Sequence, residues 1–327
     1  MKPRFLSRLS DDSGVMSVVV AVGMVMLLTT AAVALDIAHM LGVQNELQRV
    51  ADAAAMAGAR GLWPTTLPIV ASSPPPDCAT GLSRGTAVAL NAANKVDGPA
   101  LPPEWVNVQI GRYDYATKTF TPGCSTNTNA ATATARKEGV NMLFAQVFGR
   151  GPATINATAT AVMGPAGGMG KGALPIALNK RFVIPNNYLF VNFTPDDVDN
   201  AGWFSDPPDS ASAQTFRDYI NNGTCPPLHV GDLINLQNGQ DTSALHALKD
   251  KLVEQGGTWD TFLPMVDTEK FNHMEPIVGF APFRITEVKD TGNPKGVYGK
   301  VLGMAMSANA EPGGDNYGLL SPPKAVN

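Results

Sequence analysis

Twenty-one residues from Val15 to Leu35 carry no charge, with Lys2, Arg4 and Arg8 upstream and Asp36 immediately downstream. A helix over this run, at about 1.5 Å per residue, is roughly 31 Å long, which matches the hydrocarbon thickness of a bilayer. The pattern predicts a membrane span. Beyond Asp36 the apolar and small residues do not stop but become periodic. Ile37, Met40, Leu41, Leu47, Val50, Ala51, Ala54, Ala57 and Gly58 recur at three-and-four spacing, while Gln44, Asn45, Glu46, Arg49 and Asp52 fall on the opposite side. No proline interrupts Asp36 to Ala59, and Gly61 and Pro64 end the pattern. One helix from Val15 to Arg60 would be roughly 69 Å long, half in lipid and half in water.

The remaining pattern is mixed. Trp63 to Asp77 is proline-rich and reads as an extended connection. Gly81 to Lys95 reads as a second helix, and Trp105 to Tyr115 alternates as a strand with Lys118–Phe120 as its hairpin partner. Ala130 to Lys137 and Ala153 to Met163 read as further strands, and Gly139 to Phe148 as a short helix with Val140, Leu143, Phe144 and Val147 turned inward. Gly164 to Gly172 reads as a hinge. After it, Leu174–Leu178, Arg181–Ile184, Tyr188–Phe193, Leu228–Leu236, Ile277–Val288 and Val297–Met306 are strand candidates, and Ala211–Ile220 and Ser243–Glu254 helix candidates.

The fold class expected is α+β: a long N-terminal transmembrane helix extended outside the membrane, a small α+β pilin-like module, then a mainly β C-terminal module. The expected divisions are 1–14 cytoplasmic, 15–60 span and exterior helix, 61–165 α+β module, 166–172 Gly-rich linker, 173–309 mainly β module, and 310–327 disordered tail.

Charge sets the orientation. Three basic residues precede the span and only Arg49 lies in the fifteen residues after it, so the N-terminus is expected in the cytoplasm and about 290 residues beyond the inner membrane, in the periplasm. Two processing alternatives compete. Ala32-Val33-Ala34 has the small-x-small form accepted by signal peptidase, yet the apolar run exceeds the usual core of about 7 to 15 residues. Prepilin-type cleavage after Gly14 would leave the apolar segment N-terminal, but Val19 stands where a glutamate belongs.

Composition adds bounds. The chain has 327 residues, 44% apolar and 16% charged, enough for two small domains besides the anchor. A formal charge of -4 leaves no general basic field, which argues against nucleic acid as a partner. The 26 prolines and 32 glycines imply many turns. Three cysteines in an oxidising compartment imply one disulfide and one free thiol. Cys78 and Cys124 lie in loops of one expected module and are favoured as the pair, although Cys225 also lies in a turn.

The alanine-rich stretch Ala51 to Ala59 allows close approach of another element, either this chain's own globular part or a partner helix. The segment LQRVADAAAMAGA, Leu47 to Ala59, together with the preceding span and Asp36, closely resembles the N-terminal segment of the TadE/TadG-like proteins of the Flp (tight-adherence) pilus assembly system. Leu47, Gln48, Ala51, Asp52, Ala53, Ala54, Ala55, Gly58 and Ala59 stand where that motif places them. A looser resemblance continues through Gly111-Arg112-Tyr113-Asp114, Phe120, Phe144, Phe148, Gly149, Ala157, Ala159 and Ala161, to about residue 165. The resemblance implies a helix-docking motif of Asp36, Leu47, Gln48, Ala51, Asp52, Ala54, Ala55 and Gly58. It also implies other Tad/Flp assembly proteins as partners, beside membrane lipid along residues 15–35.

Chemical motifs are weak. Gly170-Lys171 lacks the preceding glycine and following hydroxyl of a phosphate loop. Asp197-Val198-Asp199-Asn200-Ala201-Gly202 mimics a calcium loop but has Ala201 for an oxygen ligand and Pro208 for the bidentate glutamate. His229 follows Cys225 by four residues, while His246 and His273 are isolated. Some TadG-like proteins carry a metal-binding adhesion module with an Asp-x-Ser-x-Ser motif; Asp209-Ser210-Ala211-Ser212 has the wrong register for it. No cofactor is expected. The reading is a non-enzymatic, membrane-anchored structural component of pilus assembly. The alternatives are a membrane-tethered periplasmic hydrolase, or an envelope-polysaccharide-binding protein with Trp203 and Trp259 exposed.

Overall fold

The computed structural model describes residues 13–63, 76–91, 93–184, 186–194 and 200–326. The basic residues before the span, most of the proline-rich connection and Asp197 to Asp199 of the calcium-like loop lie outside them.

Helix α1 (Ser13–Gly61) runs unbroken for 49 residues, about 73 Å, and passes Asp36 without interruption. None of its most apolar stretch is buried. From Val43 onward one face is buried, through Leu47, Val50, Ala51, Ala54, Ala55 and Ala59. Ile37 and Leu41, expected on that face, are exposed. Helix α2 (Cys78–Ala89) starts three residues earlier than expected and ends six residues sooner. Asp77 caps it, accepting from the Thr80 amide at 2.9 Å and from the Thr80 hydroxyl at 2.7 Å.

Four strands follow: β1 (Val106–Asp114), β2 (Thr119–Pro122), β3 (Ala130–Val140) and β4 (Ala153–Val162), all antiparallel. The alternation of alanine with threonine places small side chains on one face. Ala131, Ala133 and Ala135 pair with Ala161, Ala159 and Ala157, and all six are buried in one core with the alanines of α1. On the other face Thr132 meets Thr160 at 2.9 Å and Thr134 meets Thr158 at 3.0 Å, hydroxyl to hydroxyl.

The C-terminal part contains β5 (Ala166–Met169), β6 (Ile176–Asn179), β7 (Tyr188–Asn192), β8 (Ala201–Ser205), α3 (Ala213–Asn222), β9 (Leu228–His229), β10 (Leu233–Gln237), α4 (Thr242–Glu254), β11 (Trp259–Val266), β12 (Met274–Pro276), β13 (Gly279–Lys289) and β14 (Gly296–Val301). Short strands β15 (Ala305–Met306), β16 (Ala310–Pro312), β17 (Leu319–Leu320) and β18 (Lys324–Val326) complete the chain. An eight-stranded sheet has the order β12-β10-β8-β6-β11-β13-β14-β7, parallel only between β6 and β11. The architecture is α+β, with the long apolar helix leading into mixed helix and curled sheet.

Several expectations are corrected. Gly139–Phe148 forms only a 3-10 turn, Ala145–Phe148. Arg181–Ile184 is not a strand; a 3-10 turn occupies Lys180–Phe182, begun by the Asn179 side chain accepting the Arg181 amide. The Leu228–Leu236 run divides at Gly231, whose φ of 96° bends the backbone. The glycine-rich 166–172 segment is not a free linker, because β5 pairs with β16 and β9. The tail is ordered: β18 adds to the edge of β4, giving the first sheet the order β18-β4-β3-β1-β2, and Ser321 Oγ exchanges hydrogen bonds with the Gly164 backbone. Strands β8 and β11 arise where no strand was expected.

Candidate functional site

Along the apolar half of α1 every described hydroxyl is satisfied within the helix. Ser17 donates to the Gly14 carbonyl at 2.9 Å, Thr29 to Val25 at 2.7 Å and Thr30 to Met26 at 3.1 Å. A bilayer interior requires such internal bonding, because no water is there to accept the proton.

Asp36 lies at the end of this half and is 5% exposed. Its carboxylate accepts the Ala145 amide at 2.7 Å and the Phe144 amide at 3.1 Å. It thereby holds the 3-10 turn against the helix. Of the four side chains expected to turn inward from this segment only Val140 is buried; Leu143 is 68% exposed, Val147 80% and Phe144 38%, and the neighbouring Phe148 is 65% exposed.

The remaining motif residues meet the chain's own sheet. Leu47, Ala51, Ala54 and Ala55 are fully buried against the β3 and β4 alanines. Gln48 donates to Asp52 at 2.8 Å and lies 3.4 Å from the Thr158 carbonyl. Gly58 sits at the crossing with α2. A methyl on Gly81 would stand 3.0 Å from the Gly58 carbonyl, and one on Gly85 would stand 3.0 Å from that of Ala54. Of the two occupants considered for the alanine face, the structure supplies the chain's own module. The four-residue spacing of Gly81 and Gly85 is a small-residue helix-contact signal that sequence reasoning passed over.

A disulfide joins Cys78 to Cys124 with Cα atoms 6.1 Å apart, tying α2 to the segment after β2. Cys225 is a buried free thiol. Burial, with the Asp206 charge adding to it, pushes its pKa up to about 12. A neutral thiol of that kind is no nucleophile. His229 lies 3.4 Å from Asp232. His246 and Lys249 pair with Asp290 at 2.7 and 2.8 Å, and the Lys249 hydrogen bond holds the Asp290 carboxyl below the usual range.

Two clefts are lined by polar side chains. One of about 700 Å³ lies between the end of β1, the Thr126–Asn129 loop and Gly313–Asn316; its lining carries no His, Cys or Ser. The other, of about 430 Å³, gathers Arg181, Asp267, Glu269 and His273. Its carboxylates are already neutralised, Asp267 by Lys180 at 2.7 Å and Glu269 by Arg181, and His273 meets Glu275 at 2.5 Å. Among the described residues no group of three or more His, Cys, Asp and Glu is arranged to hold a metal. Trp203 is sealed between Phe193 and Phe216, with ring centroids at 4.4 and 5.3 Å, and donates to the Gly239 carbonyl at 3.0 Å. It cannot present a face to a sugar, and Trp259 is half-buried.

Residues 14–61 match the family model described as putative Flp pilus-assembly TadE/G-like, and residues 44–161 match the one described as putative Tad-like Flp pilus-assembly. The resemblance carried by Leu47–Ala59, with its continuation to about residue 165, is borne out. Neither a curated protein nor a solved structure matches the chain.

Proposed function

We propose, for a chain whose residues 14–161 belong to the Tad-like Flp pilus-assembly families, that it is a single-pass inner-membrane structural component of pilus assembly. The N-terminus is cytoplasmic and the two α+β parts are periplasmic, following the excess of Lys and Arg before the span. One observation carries the reading: a single helix has its first half apolar and largely exposed and its second half packed into its own domain, without a hinge between them.

Such a helix acts as a rigid post. It sets the height and direction of the exterior domains over the bilayer, and those domains present surfaces to other assembly proteins. Because the alanine face is filled intramolecularly, partner contact is made by the exterior domains or by the lipid-facing half rather than by that face.

The test is co-purification of the full chain from native membranes with Flp assembly proteins after crosslinking. Recovery of assembly proteins is expected. Their absence, with the chain intact and membrane-bound, would remove the assembly role. Cysteine accessibility at Ser7 and at Thr117 from the two sides of the membrane tests the orientation.

A further inference from the structure

The turn held by Asp36 contains an apolar sequence, Met142-Leu143-Phe144-Ala145-Gln146-Val147-Phe148, whose large side chains are mostly exposed. Phe144, Val147 and Phe148 line an apolar groove of about 470 Å³ together with Val25, Leu28, Ala32 and Leu35 of α1. The turn therefore lies alongside the second half of the apolar run, not above it. This inference rests on the reading of α1 as a membrane span.

Helix length leaves one arrangement. If the bilayer surface lay on the N-terminal side of the turn, only Val15 to Met24 would remain in lipid, about 15 Å against roughly 30 Å of hydrocarbon. The charged residues Asp11, Asp12, Arg8, Arg4 and Lys2 prevent the span from extending the other way. For the run to cross, the turn must go below the surface with it. Val25, at the far end of the groove, lies 11 residues before Asp36, so the groove extends to about 16 Å beneath that carboxylate.

The backbone of the turn suits that depth. Asp36 takes the Phe144 and Ala145 amides. The amide of Val147 donates to Phe144, that of Gly149 to Gln146 and that of Arg150 to Ala145, at 3.0 to 3.1 Å. Amides buried in hydrocarbon need such partners, and irregular backbone is tolerated there only when its polar groups are met. We propose that residues 142–148 form a wedge inserted among the acyl chains of the leaflet facing the globular part, a second lipid contact that sets the depth of α1 and prevents its rotation. The occupant of the groove is lipid.

The test uses the full chain with Cys225→Ala and the native disulfide intact, reconstituted singly in nanodiscs of phosphatidylcholine and phosphatidylglycerol. Val147→Cys carries an environment-sensitive fluorophore. Met24→Cys reports the span, and Thr117→Cys reports the end of the sheet remote from it. Blue-shifted emission at 147, quenched severalfold more by a spin label high on the acyl chain than by aqueous iodide, is expected. If position 24 is in lipid while 147 behaves like 117, the wedge is overturned and the anchor stands. If 24 is also aqueous, both fall. A blue shift at 147 without quenching by spin-labelled lipid would mean that protein covers it, which likewise overturns the proposal.

Discussion

Gly58 and Ala131 meet so closely that a methyl built on Gly58 would stand 2.8 Å from the Ala131 Cβ. Here the long helix touches the sheet with no room for even one further carbon. Gly42 of the same helix has nothing within 4 Å of the corresponding position. Gly58→Val is expected to destabilise the folded domain by about 1–3 kcal/mol, as overpacking does. Gly42→Ala is expected to stabilise it by about 0.5–1 kcal/mol through backbone entropy. Denaturant unfolding of the detergent-solubilised chain, followed by near-ultraviolet dichroism, distinguishes the two; equal effects would contradict the packing described.

The Cys78–Cys124 bond closes a sequence separation of 46 residues. Chain entropy alone assigns such a loop about 4 kcal/mol, and native proteins realise about 2–4. The double variant Cys78→Ser with Cys124→Ser should lose stability in that range, with α2 exchanging its amide hydrogens faster than α4. Unchanged unfolding in reductant would show that the bridge adds nothing.

The Cys225 thiol has its pKa pushed up from its ordinary 9.0 to about 12. Between those values the folded chain keeps a proton that the unfolded chain releases. This contribution is therefore fully present below about pH 9 and declines as pH rises toward 12, at up to about 1.4 kcal/mol per unit. Cys225→Ala should flatten the alkaline limb of stability against pH relative to the parent. Parallel limbs between pH 9 and 10.5 would refute the assignment. Alkylation of the native thiol should also be slow and become rapid only on unfolding.

Strand β18 places Lys324, Ala325 and Val326 opposite Val162, Ala161 and Thr160, and Val326 packs beside Tyr113, Ala130 and Val162. Truncation after Pro323 should unprotect the amides of β4 along that edge and cost on the order of 1 kcal/mol. Hydrogen exchange read by mass spectrometry over residues 153–163 checks this; unaltered exchange would mean that the last strand is dispensable.

Much of the first module was legible because its signals are local. The Ala-Thr alternation of Ala130–Lys137 identifies a strand whatever it pairs with, and the absence of proline from Val15 to Arg60 identifies a helix. Elements whose pairing lies far along the chain were not legible. Strand β11 contains Pro264 and lacks clean alternation, yet β13 and β6 hold it on either side. The tail is rich in Gly and Pro and orders only because β4 and β5 offer it edges.

The amino-acid sequence by itself determined that a long helix exists, where its lipid-compatible half ends, and which of its later residues are small. Those properties follow from polarity and side-chain volume at single positions. The tertiary structure alone decided what lies on the alanine face and which way the Leu143–Phe148 side chains point. A row of methyls attracts any close-fitting surface, and a periodic apolar turn reads the same whether it faces a core or lipid. The choice is made by Asp36 drawing two amides to the helix and by the β3 and β4 alanines filling the face from Ala51 to Ala59.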